Sequence, residues 1–131
     1  MLAFVNASLY QCHMINLRHL YGAFLYSLAG LKRGWREQAF RHEVLVLLVM
    51  PFILWLIRPG LVWSAALLAA WLLVMALELL NSAIEETLDL ITKESNIHVK
   101  YGKDLASAAV FFAICANGLL WAVMLYGRFM A

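Results

Sequence analysis

After Glu43, three long stretches of the chain carry no charged side chain, and the charged residues gather between them. The stretches are residues 44–57, 61–77 and 105–127, with 14, 17 and 23 residues. A helix needs about 20 residues to cross the hydrocarbon of a bilayer, so the third stretch is long enough alone. The second is long enough if its helix continues past Glu78, and the first if its helix begins before Glu43, with Arg41 reaching the interface. The pattern therefore predicts three transmembrane helices.

The segments between these stretches complete an all-α membrane protein with a single membrane domain. Arg58-Pro59-Gly60 predicts a tight turn between the first two spans, because proline and glycine together end helices. Residues 20–43 mix apolar and charged positions, which favours an amphipathic helix on the membrane surface. The alternative for its first part is a fourth, short span over residues 20–31. The remaining predicted segments are an N-terminal extension 1–19, a first span 44–57, a second span 61–90 with a cytoplasmic extension, a loop 91–102 and a third span 103–127.

Composition agrees with a membrane protein. Hydrophobic residues make up 65% of the chain and charged residues 14%, whereas an average soluble domain is about half apolar and a quarter charged. Two cysteines, Cys12 and Cys115, are too few and too far apart for a disulfide scaffold. Basic residues form no broad face with aromatic neighbours, which argues against nucleic-acid binding.

The distribution of basic residues predicts the orientation in the membrane. With three spans, the side that holds the N-terminus has eight basic residues and the other side has Arg58 and Arg128. Because basic residues favour the cytoplasmic side, we expect a cytoplasmic N-terminus and an external C-terminus. The eight residues are Arg18, Lys32, Arg33, Arg36, Arg41, Lys93, Lys100 and Lys103.

The inner end of the second span carries a stripe of polar side chains. At about 100° per residue, Asn81, Glu85 and Asp89 all lie within about 60° of Glu78 around a helix. A carboxylate at the edge of the hydrocarbon is costly, and several on one face repel one another unless a cation lies among them. Oxygen ligands of this kind suit Mg²⁺, which takes one or two carboxylates together with substrate phosphates. The stripe is therefore a candidate functional site. The alternative, a charged and water-exposed end of the helix, explains Asp89 well and Glu78 poorly.

Further polar residues lie at the same predicted membrane level. Lys103, Asp104 and Ser107 fall within one turn at the start of the third span. A lysine beside carboxylates can neutralise phosphate oxygens as a point charge. Glu37 adds another carboxylate from the surface helix.

The stripe and its neighbours carry a family resemblance. Glu78-Leu79-Leu80-Asn81-Ser82-Ala83-Ile84-Glu85, with Lys103-Asp104-Leu105-Ala106-Ser107-Ala108-Ala109, resembles the prokaryotic diacylglycerol kinase family. Ala39-Phe40-Arg41-His42-Glu43, preceded by Glu37, is similar to the surface-helix motif of that family, and Tyr26-Ser27-Leu28-Ala29-Gly30-Leu31 is similar to its N-terminal stretch.

The resemblance implies a homotrimeric membrane kinase with three spans and one surface helix per chain and with sites shared between subunits. It implies that ATP and Mg²⁺ serve to phosphorylate a lipid hydroxyl. Glu78 would be the general base, and Glu37 and Glu85 would hold Mg²⁺. The implied nucleotide-binding residues are Tyr26, Glu37, Asn81, Glu85, Glu94, Lys103 and Asp104. The implied lipid-binding residues are Arg41, Glu43, Glu78, Ser107 and Trp121.

Two other functions remain open from the sequence. An undecaprenol kinase would share the acidic motif but phosphorylate a polyprenol, and the Ala39–Glu43 motif favours diacylglycerol over it. A non-catalytic membrane module could also use paired carboxylates to bind ions. That alternative does not explain why Glu37, Lys103 and Asp104 accompany the stripe.

Overall fold

A computed structural model describes residues 17–92 and 94–130, and it is helical over most of both ranges. The helices are α1 Leu17–Gly34, α2 Gln38–Ile57, α3 Leu61–Ile91 and α4 Ile97–Phe129. The last three are long and apolar enough to cross a membrane, whereas α1 does not meet that criterion. The predicted all-α fold with three spans is therefore confirmed, and the fourth-span alternative gains no support. Of the predicted extension 1–19, residues 1–16 lie outside the described part.

The described residues form two units, which divide after Arg33. The first unit is α1 up to Arg33. One of its faces is an open groove lined by Leu20, Tyr21, Ala23, Phe24 and Ser27. Lys32 and Arg33 lie in its last turn, where positive charge interacts favourably with the helix dipole.

The predicted surface helix over residues 20–43 is interrupted in the structure. The helix ends at Gly34, and the N–H of Glu37 donates to the Gly34 carbonyl at 2.9 Å to close a turn. Gly34 is buried, and a Cβ there would clash with the side chain of Leu79. Glu37 has an extended backbone, so the next helix begins at Gln38. The helix of the first span therefore begins before Glu43, as its length required, and Arg41 and Glu43 belong to it and not to the predicted surface helix 20–43.

The turn between α2 and α3 is the predicted one. Arg58 adopts a left-handed conformation with φ 53°, and its N–H donates to the Leu54 carbonyl at 2.9 Å. Gly60 has φ 96°, a conformation that glycine adopts without steric cost. Pro51 lies inside α2, which remains one continuous helix.

The second unit, from Gly34 onwards, has its main apolar core at the Arg58–Gly60 end. Leu67 of α3 is completely buried there, against the ends of α2 and α4. The Asn117 amide of α4 donates to the Leu67 carbonyl at 3.5 Å, and Arg128 donates to the Ile57 carbonyl at 3.3 Å. The other buried members of this cluster are Met50, Leu54 and Met124.

At the opposite end of the second unit, α4 begins earlier than predicted. The side chain of Asn96 caps the helix by accepting a hydrogen bond from the His98 N–H at 2.8 Å. A Cβ on Gly102 would lie 2.9 Å from a methyl group of Leu88, so α4 approaches α3 closely at this point. The predicted loop 91–102 is therefore shorter, and the prediction missed the capping role of Asn96.

Candidate active site

The polar stripe of α3 occupies the end of the second unit that lies away from the apolar core. Because α3 is continuous from Leu61 to Ile91, the predicted helical spacing of its residues holds. Glu78, Asn81 and Glu85 are half-buried, and Asp89 is exposed. The Asn81 amide donates to Glu85 Oε1 at 3.1 Å, which orients one carboxylate oxygen. We refer to Glu78, Asn81, Glu85 and Asp89 as the acidic stripe.

Glu43 of α2 lies close to this stripe. Its backbone carbonyl accepts a hydrogen bond from the Trp71 indole at 3.0 Å, which ties α2 to α3. Its side chain is 8% exposed, and it lies near enough to Glu78 for the two charges to repel. The structure thus brings together two of the residues for which the resemblance implies lipid binding, Glu43 and Glu78.

Glu37 adds a further carboxylate at the same end. It occupies the position immediately before α2 and is half-buried. Glu78 experiences the charges of both Glu37 and Glu85. Negative charges grouped at the edge of an apolar region are costly unless positive charge compensates them. The arrangement therefore favours a bound cation.

The donor atoms at this end fit a hard cation such as Mg²⁺. All of them are oxygen atoms, and Mg²⁺ prefers oxygen ligands. Within the described residues, the buried atoms Glu43 Oε2 and Asn81 Oδ1 have no hydrogen-bond partner. The described part of the chain holds no cluster of three or more His, Cys, Asp or Glu side chains suited to a metal. Mg²⁺ usually takes only one or two carboxylates and completes its coordination with phosphate oxygens and water, so Glu37 and Glu85 remain suitable ligands.

The ammonium group of Lys103 lies at the Asp89 end of the acidic stripe. Lys103 Nζ forms an ion pair of 2.6 Å with Asp89 Oδ1, which joins the start of α4 to α3. Asp104 and Ser107, which fall within one turn of Lys103 on α4, are exposed. The sequence placed Asp89 in the stripe but assigned it no role. The pairing with Lys103 could not be read from spacing, because it joins two helices.

The remaining predicted site residues are Arg41, Glu94, Tyr26 and Trp121. Arg41 is exposed near the start of α2, and Glu94 is exposed in the loop, where its N–H donates to Thr92 Oγ1 at 3.1 Å. Tyr26 is exposed on α1, in the other unit. Trp121 packs against the apolar core around Leu67.

Trp121 lies at a different level from the acidic stripe, and its assignment to lipid binding stays a prediction. Leu67 precedes Glu78 by 11 residues, which corresponds to about 16 Å along a helix. Trp121 is therefore level with the interior of the second unit and not with the acidic stripe. The resemblance carried no information about this level, because it matched positions along the chain and not heights along α3.

Comparison with known proteins covers most of the chain. Residues 25–125 match the family described as prokaryotic diacylglycerol kinase. A diacylglycerol kinase of Haemophilus influenzae is 38% identical over 111 residues, covering 84% of this chain and 94% of the relative. A diacylglycerol kinase of Pseudomonas aeruginosa is 38% identical over 85% of this chain and 91% of the relative. A diacylglycerol kinase of Escherichia coli is 39% identical over 79% of this chain and 86% of the relative.

Proposed function

The chain belongs to the prokaryotic diacylglycerol kinase family, and we propose on that basis that it phosphorylates diacylglycerol to phosphatidic acid with ATP. It is a lipid kinase with three apolar helices of membrane-spanning length. The observation that carries the proposal is the grouping of Glu78 with Glu43, Glu37 and Glu85 at one end of these helices. Family membership also argues against the non-catalytic ion-binding module.

The level of Glu78 suits a reaction between a lipid and a water-soluble nucleotide. Glu78 follows Leu61, the first residue of α3, by 17 residues, or about 26 Å of helix. The hydrocarbon of a bilayer is about 30 Å thick, so Glu78 lies near its far edge. The hydroxyl of diacylglycerol also lies at the membrane interface, and ATP approaches it from the cytoplasm.

The proposed chemistry needs one proton acceptor and good alignment. Glu78 takes the proton of the lipid hydroxyl while the oxygen of that hydroxyl forms a bond to the γ-phosphorus of ATP. The bond between the γ-phosphorus and the oxygen that bridges it to the β-phosphate breaks, and ADP leaves. Glu43 holds the glycerol end of the lipid beside Glu78, and its buried Oε2 is free to accept a hydrogen bond from that lipid. Arg41 and Ser107 contact the lipid at the same interface.

The nucleotide is held by groups around the acidic stripe. Glu37 and Glu85 hold Mg²⁺, which neutralises charge on the phosphates when it is bound. The hydrogen bond from Asn81 fixes one Glu85 oxygen and leaves Asn81 Oδ1 as a further acceptor. Lys103 and Asp104 lie beside the phosphates at the start of α4, and Tyr26 and Glu94 contact the nucleotide.

The active enzyme is proposed to be a homotrimer with sites shared between subunits. The face of α3 opposite the acidic stripe supports association with another chain, because it presents an apolar groove outside the carboxylate cluster. Leu80 and Ile84 are exposed there, at 58% and 42%. The groove is lined by Leu80, Ala83, Ile84, Thr87 and Leu88.

Mass measurement of the detergent-solubilised protein, with the detergent contribution subtracted, tests the trimer.

The proposed location is the bacterial inner membrane, with a cytoplasmic N-terminus and an external C-terminus. The excess of basic residues on the N-terminal side supports this orientation. It would also place the acidic stripe on the side where ATP is available. Reporter fusions at the two ends, one active only in the cytoplasm and one only outside, test the orientation.

Undecaprenol is the competing lipid substrate, and a direct comparison tests the choice. The purified protein is given radiolabelled ATP with diacylglycerol or undecaprenol in matched mixed micelles. Faster labelling of diacylglycerol is expected, since the relatives named above are diacylglycerol kinases. Preferential labelling of undecaprenol would overturn the substrate assignment but keep the lipid kinase.

A further inference from the structure

The ion pair between Asp89 and Lys103 joins two helices at a fixed point. Gly102 lies against Leu88, and a Cβ on this glycine would approach a Leu88 methyl group to 2.9 Å. Lys103 and Asp89 are the next residues along their two helices, and their side chains meet at 2.6 Å. The packing of Gly102 against the Leu88 side chain therefore sets the distance over which the lysine side chain reaches α3.

Asp89 continues the acidic stripe beyond Glu85. It follows Glu85 by four residues, so it lies on the same face of α3, about 6 Å further along the helix axis. An ammonium group held at Asp89 is thereby held next to the carboxylate that we propose as a Mg²⁺ ligand. This is the direction in which the phosphate chain of a nucleotide would extend from the membrane edge.

We infer that Asp89 is a positioning residue that holds the Lys103 ammonium group in the place where it contacts the nucleotide phosphates. The inference rests on the proposed kinase function and deepens it. Lysine has three N–H donors, so one can bond Asp89 while the others bind phosphate oxygens. Without Asp89, the flexible lysine side chain would sample many orientations, and ordering it would oppose ATP binding.

The exposure of the ion pair argues against the alternative that Asp89 prevents Lys103 from binding ATP. Lys103 is 34% exposed and Asp89 60% exposed. Exposed ion pairs contribute little free energy, whereas contacts between ammonium and phosphate are charge-assisted on both sides and strong. Incoming phosphates would therefore bind Lys103 without having to break a strong competing bond. The expected effect of Asp89 is accordingly small and favourable to ATP binding.

Steady-state kinetics with the full chain in mixed micelles test this inference. Replacing the carboxylate in Asp89→Asn should raise KM for ATP about two- to five-fold, the range that corresponds to an exposed ion pair. KM for diacylglycerol should stay unchanged, and Asp89→Glu should restore most of the ATP affinity. Glu86→Gln is the matched control, because it removes an exposed carboxylate three residues away on the same helix. Its kinetics should equal those of the unmodified protein.

Exchanging the two charges separates positioning from simple bracing of the helices. The double variant Asp89→Lys with Lys103→Asp keeps an ion pair but moves the ammonium group from α4 to α3. We expect it to retain thermal stability and to keep a raised KM for ATP. Recovery of normal KM in this variant would show that the pair only braces the helices and would overturn the inference. If Asp89→Asn does not fold, KM for ATP in the double variant tests the inference by itself.

The same experiment distinguishes failure of this inference from failure of the kinase assignment. An unmodified protein that phosphorylates diacylglycerol, together with an unchanged or lowered KM for ATP in Asp89→Asn, would overturn only the role of Asp89. An unmodified protein that phosphorylates no lipid would overturn both.

Discussion

The indole of Trp71 donates a hydrogen bond of 3.0 Å to the backbone carbonyl of Glu43 and so joins α2 to α3. Trp71 precedes Glu78 by seven residues, or about two helical turns. The bond therefore fixes α2 against the same helix that carries the proposed base. It connects the membrane-spanning scaffold to the carboxylate pair Glu43 and Glu78.

Loss of this hydrogen bond should affect stability more than chemistry. We expect Trp71→Phe to lower the free energy of unfolding by about 1 kcal/mol, since interhelical hydrogen bonds within membranes contribute about 0.6–2 kcal/mol. Thermal unfolding in detergent measures the change. Trp55→Phe is the control, because Trp55 is 62% exposed and should lose little stability on substitution. Equal stability of the two variants would contradict the tie between α2 and α3.

We expect the protein with Glu43 to be less stable than a variant with a neutral side chain of the same size at this position. Its carboxylate is buried, has an oxygen without a partner in the described part of the chain, and faces the charge of Glu78. Glu43→Gln should therefore raise thermal stability by on the order of 1 kcal/mol. It should also raise KM for diacylglycerol while leaving KM for ATP unchanged.

A stability gain in Glu43→Gln without any change in KM for the lipid would contradict the proposed contact with glycerol. A loss of stability would contradict the charge repulsion. Glu94→Gln is the matched comparison for stability, because Glu94 is exposed in the loop and its removal should leave unfolding unchanged.

The Mg²⁺ requirement should depend on Glu37 and Glu85. Glu85→Gln keeps an oxygen that can accept the Asn81 hydrogen bond but removes the charge that would attract the cation. We expect the Mg²⁺ concentration for half-maximal activity to rise about ten-fold or more in this variant and in Glu37→Gln, since even the loss of a residue that supports a metal ligand typically costs about 10–100-fold in metal affinity. Glu86→Gln serves as the control from the same helix. An unchanged Mg²⁺ response would remove both residues from the metal site.

Close packing at Gly34 should make this position intolerant of a side chain. A Cβ there would clash with Leu79 and would lie 3.4 Å from the Phe40 ring. Gly34→Ala should therefore lower stability by about 1–3 kcal/mol, the usual cost of overpacking. Gly118→Ala is the matched control, since no atom lies within 4 Å of a Cβ at Gly118. That variant should be neutral or stabilising, because alanine favours helix formation.

Much of this arrangement follows from the sequence because helical spacing and membrane thickness are strong constraints. The acidic stripe could be predicted, since Glu78 and Glu85 share one helix whose period is fixed. The turn at Arg58–Gly60 followed from its proline and glycine. The helix break after Gly34 could not be predicted from the sequence, because glycine is needed there for a contact with Leu79, which lies on another helix.

Contacts between helices account for the remaining differences. The proximity of Glu43 to Glu78 and the pairing of Lys103 with Asp89 both depend on how helices pack, and a single sequence does not encode that in local spacing. Trp121 packs against the apolar core around Leu67, which also depends on how the helices pack, and its assignment to lipid binding stays a prediction. The sequence pattern predicted a loop over residues 91–102 with no helix start inside it, so it did not identify Asn96 as an N-cap.

Phosphate transfer by the unmodified protein and by Glu78→Gln is the most direct test of the central claim. Both proteins are incubated with radiolabelled ATP, Mg²⁺ and diacylglycerol in mixed micelles, and labelled phosphatidic acid is quantified. The unmodified protein should label the lipid, and Glu78→Gln should lose at least about 100-fold in kcat, as expected for loss of a general base, while its stability should equal or exceed that of the unmodified protein because the repulsion with Glu43 is removed. Near-normal labelling by Glu78→Gln would contradict its role as the base, and no labelling by either protein would contradict the kinase itself.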